Sequence, residues 1–141
     1  MSKVQTSLYV HLPWCTKKCP YCDFNSYTAG DEIAENRYVK ALLADLAMDL
    51  RGRERVTLAS IFIGGGTPSL FSGQAIAQLL DGIAAQTTLA SDTEITLEAN
   101  PGSAEAQRFA DYHRAGVNRL SLGVQSFDDA SLVALGRVHS A

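Results

Sequence analysis

The chain carries only three cysteines, one tryptophan and four prolines in 141 residues, and it has no excess of positive charge: 12 Lys+Arg stand against 15 Asp+Glu. No basic block is longer than the Lys17-Lys18 pair, so the electrostatic footprint of a nucleic-acid-binding surface is missing. No segment approaches about 18 consecutive apolar residues, which argues against a membrane-spanning helix. The opening Met-Ser-Lys-Val-Gln-Thr-Ser has one lysine and no apolar stretch of signal-peptide length, and a cytoplasmic protein is expected. Internal repeats, low-complexity segments and linkers are absent from the sequence. What is present, 46% hydrophobic and 19% charged residues, is the balance of a folded globular chain. At this size a chain buries about 68% of its unfolded surface, enough for one core and hardly two, so one domain or part of one is expected.

All three thiols, Cys15, Cys19 and Cys22, fall within one short stretch. An odd, clustered set in a chain without an export signal is a poor disulfide framework and a good metal site. Three thiolates at Cys-x-x-x-Cys-x-x-Cys spacing can wrap a cubane and ligate three of its irons, leaving the fourth open to an exogenous ligand. The alternatives are a structural zinc with His11 as fourth ligand, or three unremarkable thiols. Against zinc, His11 belongs to a strand face and no second cysteine pair completes the set. Lys17 and Lys18 between the thiols are expected to offset a cluster's negative charge.

Hydrophobic periodicity organises the rest. Leu8, Val10 and Leu12 alternate with Tyr9 and His11, predicting a strand over 8–12 that Pro13 stops. Apolar positions recur at helical spacing over 31–50 and end at Arg51-Gly52. The run 58–63 reads as a buried strand delivered into Gly64-Gly65-Gly66-Thr67-Pro68. A helix opening at Ser72 or Gly73 follows, then a strand over 94–98, a turn at Pro101-Gly102, a helix from 103 ending at His113 to Gly116, a strand over 119–124, and a last helix begun by Asp128-Asp129. Four strands of near-continuous apolar character, alternating with four helical segments, predict right-handed βαβ units and a parallel α/β sheet.

In such sheets ligands collect beyond the carboxyl ends of the strands, where the cysteine loop, the glycines, Glu98 and Gln125 all fall. The glycine turn is neither a phosphate loop nor a dinucleotide fingerprint, since Ser69 stands where the latter needs its third glycine. It permits close approach of main-chain N–H and C=O groups to a small polar ligand, or it is a tight turn. Glu98 can accept hydrogen bonds from ribose hydroxyls or a ligand amine, or be a solvated loop acid; Gln125 and Arg137 are similar cases, and Tyr9 reads equally as strand packing. The sequence stops at Ala141 with its last helix barely begun, as expected for part of a longer barrel.

Taken together, Leu8-Tyr9-Val10-His11-Leu12-Pro13-Trp14-Cys15, Cys19-Pro20-Tyr21-Cys22-Asp23-Phe24-Asn25, Gly64-Gly65-Gly66-Thr67-Pro68-Ser69, Glu98-Ala99-Asn100-Pro101, the stretch from Asn118 to Phe127 and Leu135-Gly136-Arg137-Val138-His139 resemble the radical S-adenosylmethionine proteins related to anaerobic coproporphyrinogen III oxidase. The resemblance covers nearly the whole chain. It implies a partial (β/α) barrel, of which residues 1–141 are the N-terminal portion of the core domain, with a C-terminal domain outside this sequence. It implies that Cys15, Cys19 and Cys22 hold a [4Fe-4S] cluster whose open iron is chelated by S-adenosylmethionine. Gly65, Gly66 and Thr67 would contact its methionine end, Glu98, Gln125 and Arg137 the rest of it, and Tyr9 and Tyr21 its surroundings.

One departure separates two branches. The oxidases carry a further cysteine two positions after the third ligand, where this chain has Phe24, and Cys22-Asp23-Phe24-Asn25-Ser26 instead resembles the heme-chaperone branch. That branch implies heme delivery to an apo-hemoprotein client, with heme bound by its C-terminal region, and an electron donor as further partner. The oxidase branch implies decarboxylation of porphyrinogen propionates through a 5′-deoxyadenosyl radical.

Overall fold

A computed structural model describes residues 5–141, with side chains for all of these except 103–105; the N-terminal reading rests partly on residues 1–4, which lie outside the described residues. Four strands, β1 (Thr6–Leu12), β4 (Thr57–Gly65), β5 (Thr88–Ala99) and β6 (Arg119–Leu122), form one parallel sheet in that order, so each unit adds its strand beside the preceding one as a growing barrel does. Helices α1 (Glu35–Asp49), α2 (Gly73–Gln86) and α3 (Ser103–Ala115) are the crossovers, and α4 (Asp129–Ala134) follows the last strand. Two further strands of two residues each, β2 (Trp14–Cys15) and β3 (Tyr27–Thr28), pair in parallel and bracket the cysteine segment. Among the described residues no helix is long and apolar enough to cross a membrane.

The expected parallel α/β sheet is found, but the strands are not apolar on both faces. Val10, Leu12, Ile61, Ile63, Ile95 and Leu97 face the helices and bury against Ala75, Ile76, Leu79, Leu80 and Ile83 of α2, Val39 of α1 and Tyr112 of α3. Alternate positions carry another chemistry. Tyr9 stacks on Phe62 with ring centroids 6.3 Å apart, Ser60 donates to Ser7, and Arg119 reaches both Glu94 and Thr96. Period-two alternation therefore gives one face to the core and the other to the concave side, where a partial barrel keeps its ligands.

Boundaries moved where local signals compete with packing. Residues 31–34 are not helical: Ile33 packs on the core as an approach segment, and the helix opens at Glu35, whose carboxylate accepts the Ser72 amide at 2.8 Å and the Ser72 hydroxyl at 2.6 Å. Ser72 caps α2 in turn, its hydroxyl accepting the Ala75 amide at 3.1 Å, as expected of an N-cap serine. Strand β5 begins six residues before the expected 94. Its polar first half is accommodated by a register shift against β4 that Thr93 ties down by donating to the Leu58 carbonyl. Strand β6 ends at Leu122: the Gly123 amide still bonds to the Ala99 carbonyl, but the Val124 amide turns back onto the Leu122 carbonyl and the chain leaves the sheet toward Gln125. Gly116 closes α3 with φ +112, its successor's amide bonded to the Tyr112 carbonyl.

Asp128 caps α4, accepting the Ser131 amide at 2.8 Å and the Ser131 hydroxyl at 2.7 Å, and these bonds hold its carboxyl below the ordinary 3.8. A depressed folded value contributes stability above the unfolded value, and this is lost as pH falls through the folded one. The difference in urea midpoint between the parent and Asp128→Ala should thus be present at pH 6 and shrink progressively below pH 3.8. A difference that stays constant down to pH 2 would remove the capping carboxylate from the stability of this turn.

Candidate functional site

The cysteine loop is seated before it does anything chemical. Its stem is β2 and β3, completed by the Tyr27 amide on the Pro13 carbonyl (2.8 Å) and the Ala29 amide on the Cys15 carbonyl (2.7 Å). Trp14 meets Tyr38 edge-on at 4.6 Å and lies 5.7 Å from Phe71, which fixes the stem against α1 and the turn before α2. Within the loop, Cys22 donates its amide to the Cys19 carbonyl at 3.0 Å. Lys18 turns inward to the Phe24 and Ser26 carbonyls at 3.2 and 3.3 Å, so it braces the loop rather than serving only as a free countercharge, whereas Lys17 borders the cavity described below.

His11 is fully used elsewhere. Nε2 donates to the Asn25 carbonyl at 2.8 Å, which leaves Nδ1 to accept the Tyr9 hydroxyl at 2.9 Å. No nitrogen remains for a metal, and the zinc alternative loses its fourth ligand. The three thiols are unbonded to one another, and Cys15 is buried. Among the described residues no three His, Cys, Asp or Glu side chains gather closely enough for a single ion.

Beyond the strand ends lies an open cavity of about 870 Å³. Cys15, Cys19, Cys22, Tyr21 and Phe24 border it from the loop; Gly65, Gly66 and Thr67 from the end of β4; Glu98 and Asn100 from β5; Gln125, Arg137 and His139 from the segment after β6. Ten of the eleven residues singled out in the sequence are thereby brought together. Tyr9 is not: it stands on the concave sheet face against Phe62 and His11, outside the cavity lining, because its strand ends three residues later.

The glycine turn differs from expectation in which of its groups face a ligand. Gly65 donates its amide to Glu98 Oε2 at 3.2 Å, Gly66 to the Leu12 carbonyl at 2.9 Å and Thr67 to the Trp14 carbonyl at 2.7 Å. Three successive donors are taken by the protein, so these amides are not available to an anion. The glycines are also structurally required. A Cβ on Gly66 would lie 2.5 Å from the Trp14 carbonyl oxygen, and Gly65 has φ +121 with the His11 ring 2.8 Å from any Cβ. Both roles of the turn, tight packing and proximity to the cavity, therefore hold together.

Arg137 links the two sides of the cavity. One terminal nitrogen donates to Asn100 Oδ1 (2.9 Å) and the Gly123 carbonyl (2.6 Å); the other approaches Cys19 Sγ at 3.4 Å and the Tyr21 hydroxyl at 3.5 Å. Asn100 passes the connection on by donating to Thr67 Oγ1 at 3.3 Å. Asn100 was not singled out from the sequence, where an Asn before Pro reads as turn chemistry. His139, likewise missed, donates Nε2–H to the Val124 carbonyl at 3.0 Å. Gln125 takes φ +71, a left-handed turn rare outside glycine, which presents it at the cavity mouth. Burial raises the Tyr21 phenol above 10.0, with Cys19 adding to the rise and Arg137 opposing it; burial, then the Glu98 charge, raises Tyr9.

Comparison with known proteins places this arrangement. The family model described as the Radical SAM superfamily matches residues 9–141. The heme chaperone HemW of Escherichia coli (strain K12) is 57% identical over 133 residues, covering 94% of this chain and 35% of the relative. The heme chaperone HemW of Haemophilus influenzae is 53% identical over 139 residues, covering 96% and 36%. Among solved structures, coproporphyrinogen III oxidase (HemN) from Escherichia coli, a radical SAM enzyme, superposes with a TM-score of 0.81 at 29% identity over 95% of this chain and 31% of that one. The chain spans about a third of the length of the curated relatives it matches.

Because the Gly66 clash is with backbone, Gly66→Ala should destabilise the chain by about 1–3 kcal/mol, as overpacking does, and should do so without any ligand present. Urea unfolding of the two proteins checks this; an unchanged midpoint would show that the close backbone approach at Gly66 does not constrain stability.

Proposed function

Since the chain belongs to the radical SAM superfamily, we propose that Cys15, Cys19 and Cys22 ligate three irons of a [4Fe-4S] cluster, that S-adenosylmethionine binds in the adjoining cavity, and that the protein delivers heme to client proteins in the cytoplasm. The observation that carries this reading is the convergence of three soft thiols from one loop with the acceptor side of the glycine turn, Glu98, Gln125 and Arg137 on a single cavity. The donor set fits the cluster in kind: the three sulfurs are soft donors, unbonded to one another, on one loop held by a stem whose hydrogen bonds do not depend on them. When bound, the cluster supplies a single electron to the sulfonium of the chelated cofactor.

The chain's own residues do the holding. With its amides turned inward, the glycine turn offers acceptors, which suits the cofactor's amino group better than a phosphate. Glu98 spends one carboxylate oxygen on the Gly65 amide, and its other oxygen is the acceptor for a ribose hydroxyl or an amine. Gln125 and Arg137 contribute from the far wall and Tyr21 from the loop, while Tyr9 acts from behind by fixing the His11 tautomer that anchors the loop at Asn25.

Support for heme delivery comes from two relatives that are named heme chaperones and from Phe24, which is 63% exposed beside the cavity and can neither donate a proton nor ligate a metal. A ring there can pack against a flat tetrapyrrole or an adenine. Client, electron donor and heme ligands belong to the whole protein, of which this chain matches about a third.

Two measurements test the reading on the full-length protein. Anaerobic reconstitution with iron and sulfide should give an oxygen-sensitive brown protein with about four irons per chain, and Cys19→Ala should lose the colour; a colourless parent retaining stoichiometric zinc would overturn the cluster. Loaded protein charged with heme should pass it to an apo-hemoprotein and yield no decarboxylated porphyrinogen under anaerobic reducing conditions. Multiple turnovers of decarboxylation would reassign the protein to the oxidase branch.

A further inference from the structure

Arg137 lies 118 positions after Cys19, yet its guanidinium NH1 stands 3.4 Å from the Cys19 sulfur. The approach is braced rather than incidental. NH2 is pinned by Asn100 Oδ1 at 2.9 Å and the Gly123 carbonyl at 2.6 Å, and Asn100 is itself tied to Thr67. A guanidinium is planar and rigid, so fixing one nitrogen at two acceptors fixes where the other points. It stays protonated at any working pH, whereas the cysteine must be a thiolate to ligate iron, and the contact then becomes a charge-assisted N–H···S bond.

Such a bond withdraws charge from the ligand sulfur and stabilises the more negative, reduced form of a cluster. The geometry points to Arg137 as a hydrogen-bond donor to the Cys19 sulfur that raises the reduction potential of the cluster, a positioning role acting through the ligand and separate from any contact with the bound cofactor. This inference rests on the cluster reading above. The expectation that Arg137 simply touches the cofactor accounts for neither the sulfur contact nor the two anchors on NH2, which already hold the side chain across the rim.

The test is an anaerobic redox titration, followed by electron paramagnetic resonance, of the full-length cluster-loaded protein without S-adenosylmethionine and at matched iron content. Arg137→Gln should disfavour reduction by about tenfold, a fall of about 59 mV for one electron. Arg137→Lys should fall as well, because a single ammonium cannot reach Cys19 while keeping Asn100 and Gly123; this variant carries the test if the Gln variant does not fold. Parent-like potentials in whichever variants fold would overturn the inference while leaving the cluster intact. A parent-like Arg137→Lys beside a lowered Arg137→Gln would also overturn it, assigning the effect to net charge. A parent that takes up no iron would instead sink the cluster reading, before any variant is compared.

Discussion

Two main-chain hydrogen bonds, Gly66 N–H to the Leu12 carbonyl and Thr67 N–H to the Trp14 carbonyl, join the end of β4 to the stem of the cysteine loop. They require the two backbones to pass so closely that a Cβ on Gly66 would lie 2.5 Å from the Trp14 oxygen. Glycine at this position is therefore a condition of the site. Together with the contacts of Trp14 to Tyr38 and Phe71, this seam fixes the β2–β3 stem, and with it the buried Cys15, against the sheet. The same bonds decide the electrostatics of the turn. By consuming donors, they leave a glycine turn whose amides cannot cradle an anion as those of a phosphate loop do.

The sheet supports this arrangement through its two unlike faces. Leu12, Ile63 and Leu97 are fully buried beneath the helices and hold the carboxyl ends of β1, β4 and β5 level. Register then sets what stands next to what. Leu12 pairs with Gly65 and Glu98 with Ser121, so loop stem, glycine turn, carboxylate and the approach to Gln125 share one rim. On the concave face, the chain Tyr9–His11–Asn25 reaches from mid-strand to the far end of the cysteine loop. A residue that never touches the cavity thus helps to fix its wall, through a ring whose tautomer is settled by its two neighbours.

Much of this was legible because its signals are local. The helix start at Ser72 or Gly73 and the helix end between His113 and Gly116 are each written in a few consecutive residues, and the structure has both there. The first half of β5 was not legible, since Thr88 to Thr93 is too polar to read as strand; its pairing is held by Thr93 and Asn118, which reaches back 25 residues to the Thr93 carbonyl. Strands β2 and β3 have two residues apiece, too short for any periodicity, and exist because the loop must close. The donor direction of the glycine turn was illegible for a similar reason: composition shows that backbone can come close, not which side of the peptide it presents.

The least legible feature is the one that closes the cavity. Thr67, Asn100, Arg137 and Cys19 belong to four separate segments, and no spacing rule connects them, yet Asn100 donates to Thr67 and accepts from Arg137, which reaches the sulfur. An asparagine is suited to the middle of that chain because it offers a donor and an acceptor side by side; aspartate would lack the donor and leucine both. Among the described residues no protein group bonds the buried Arg137 Nε, and the side chain lies on the wall of the same cavity. The network thus spans both sides of the cavity and holds a permanent positive charge against the Cys19 sulfur, a placement that no single segment of the chain could specify alone.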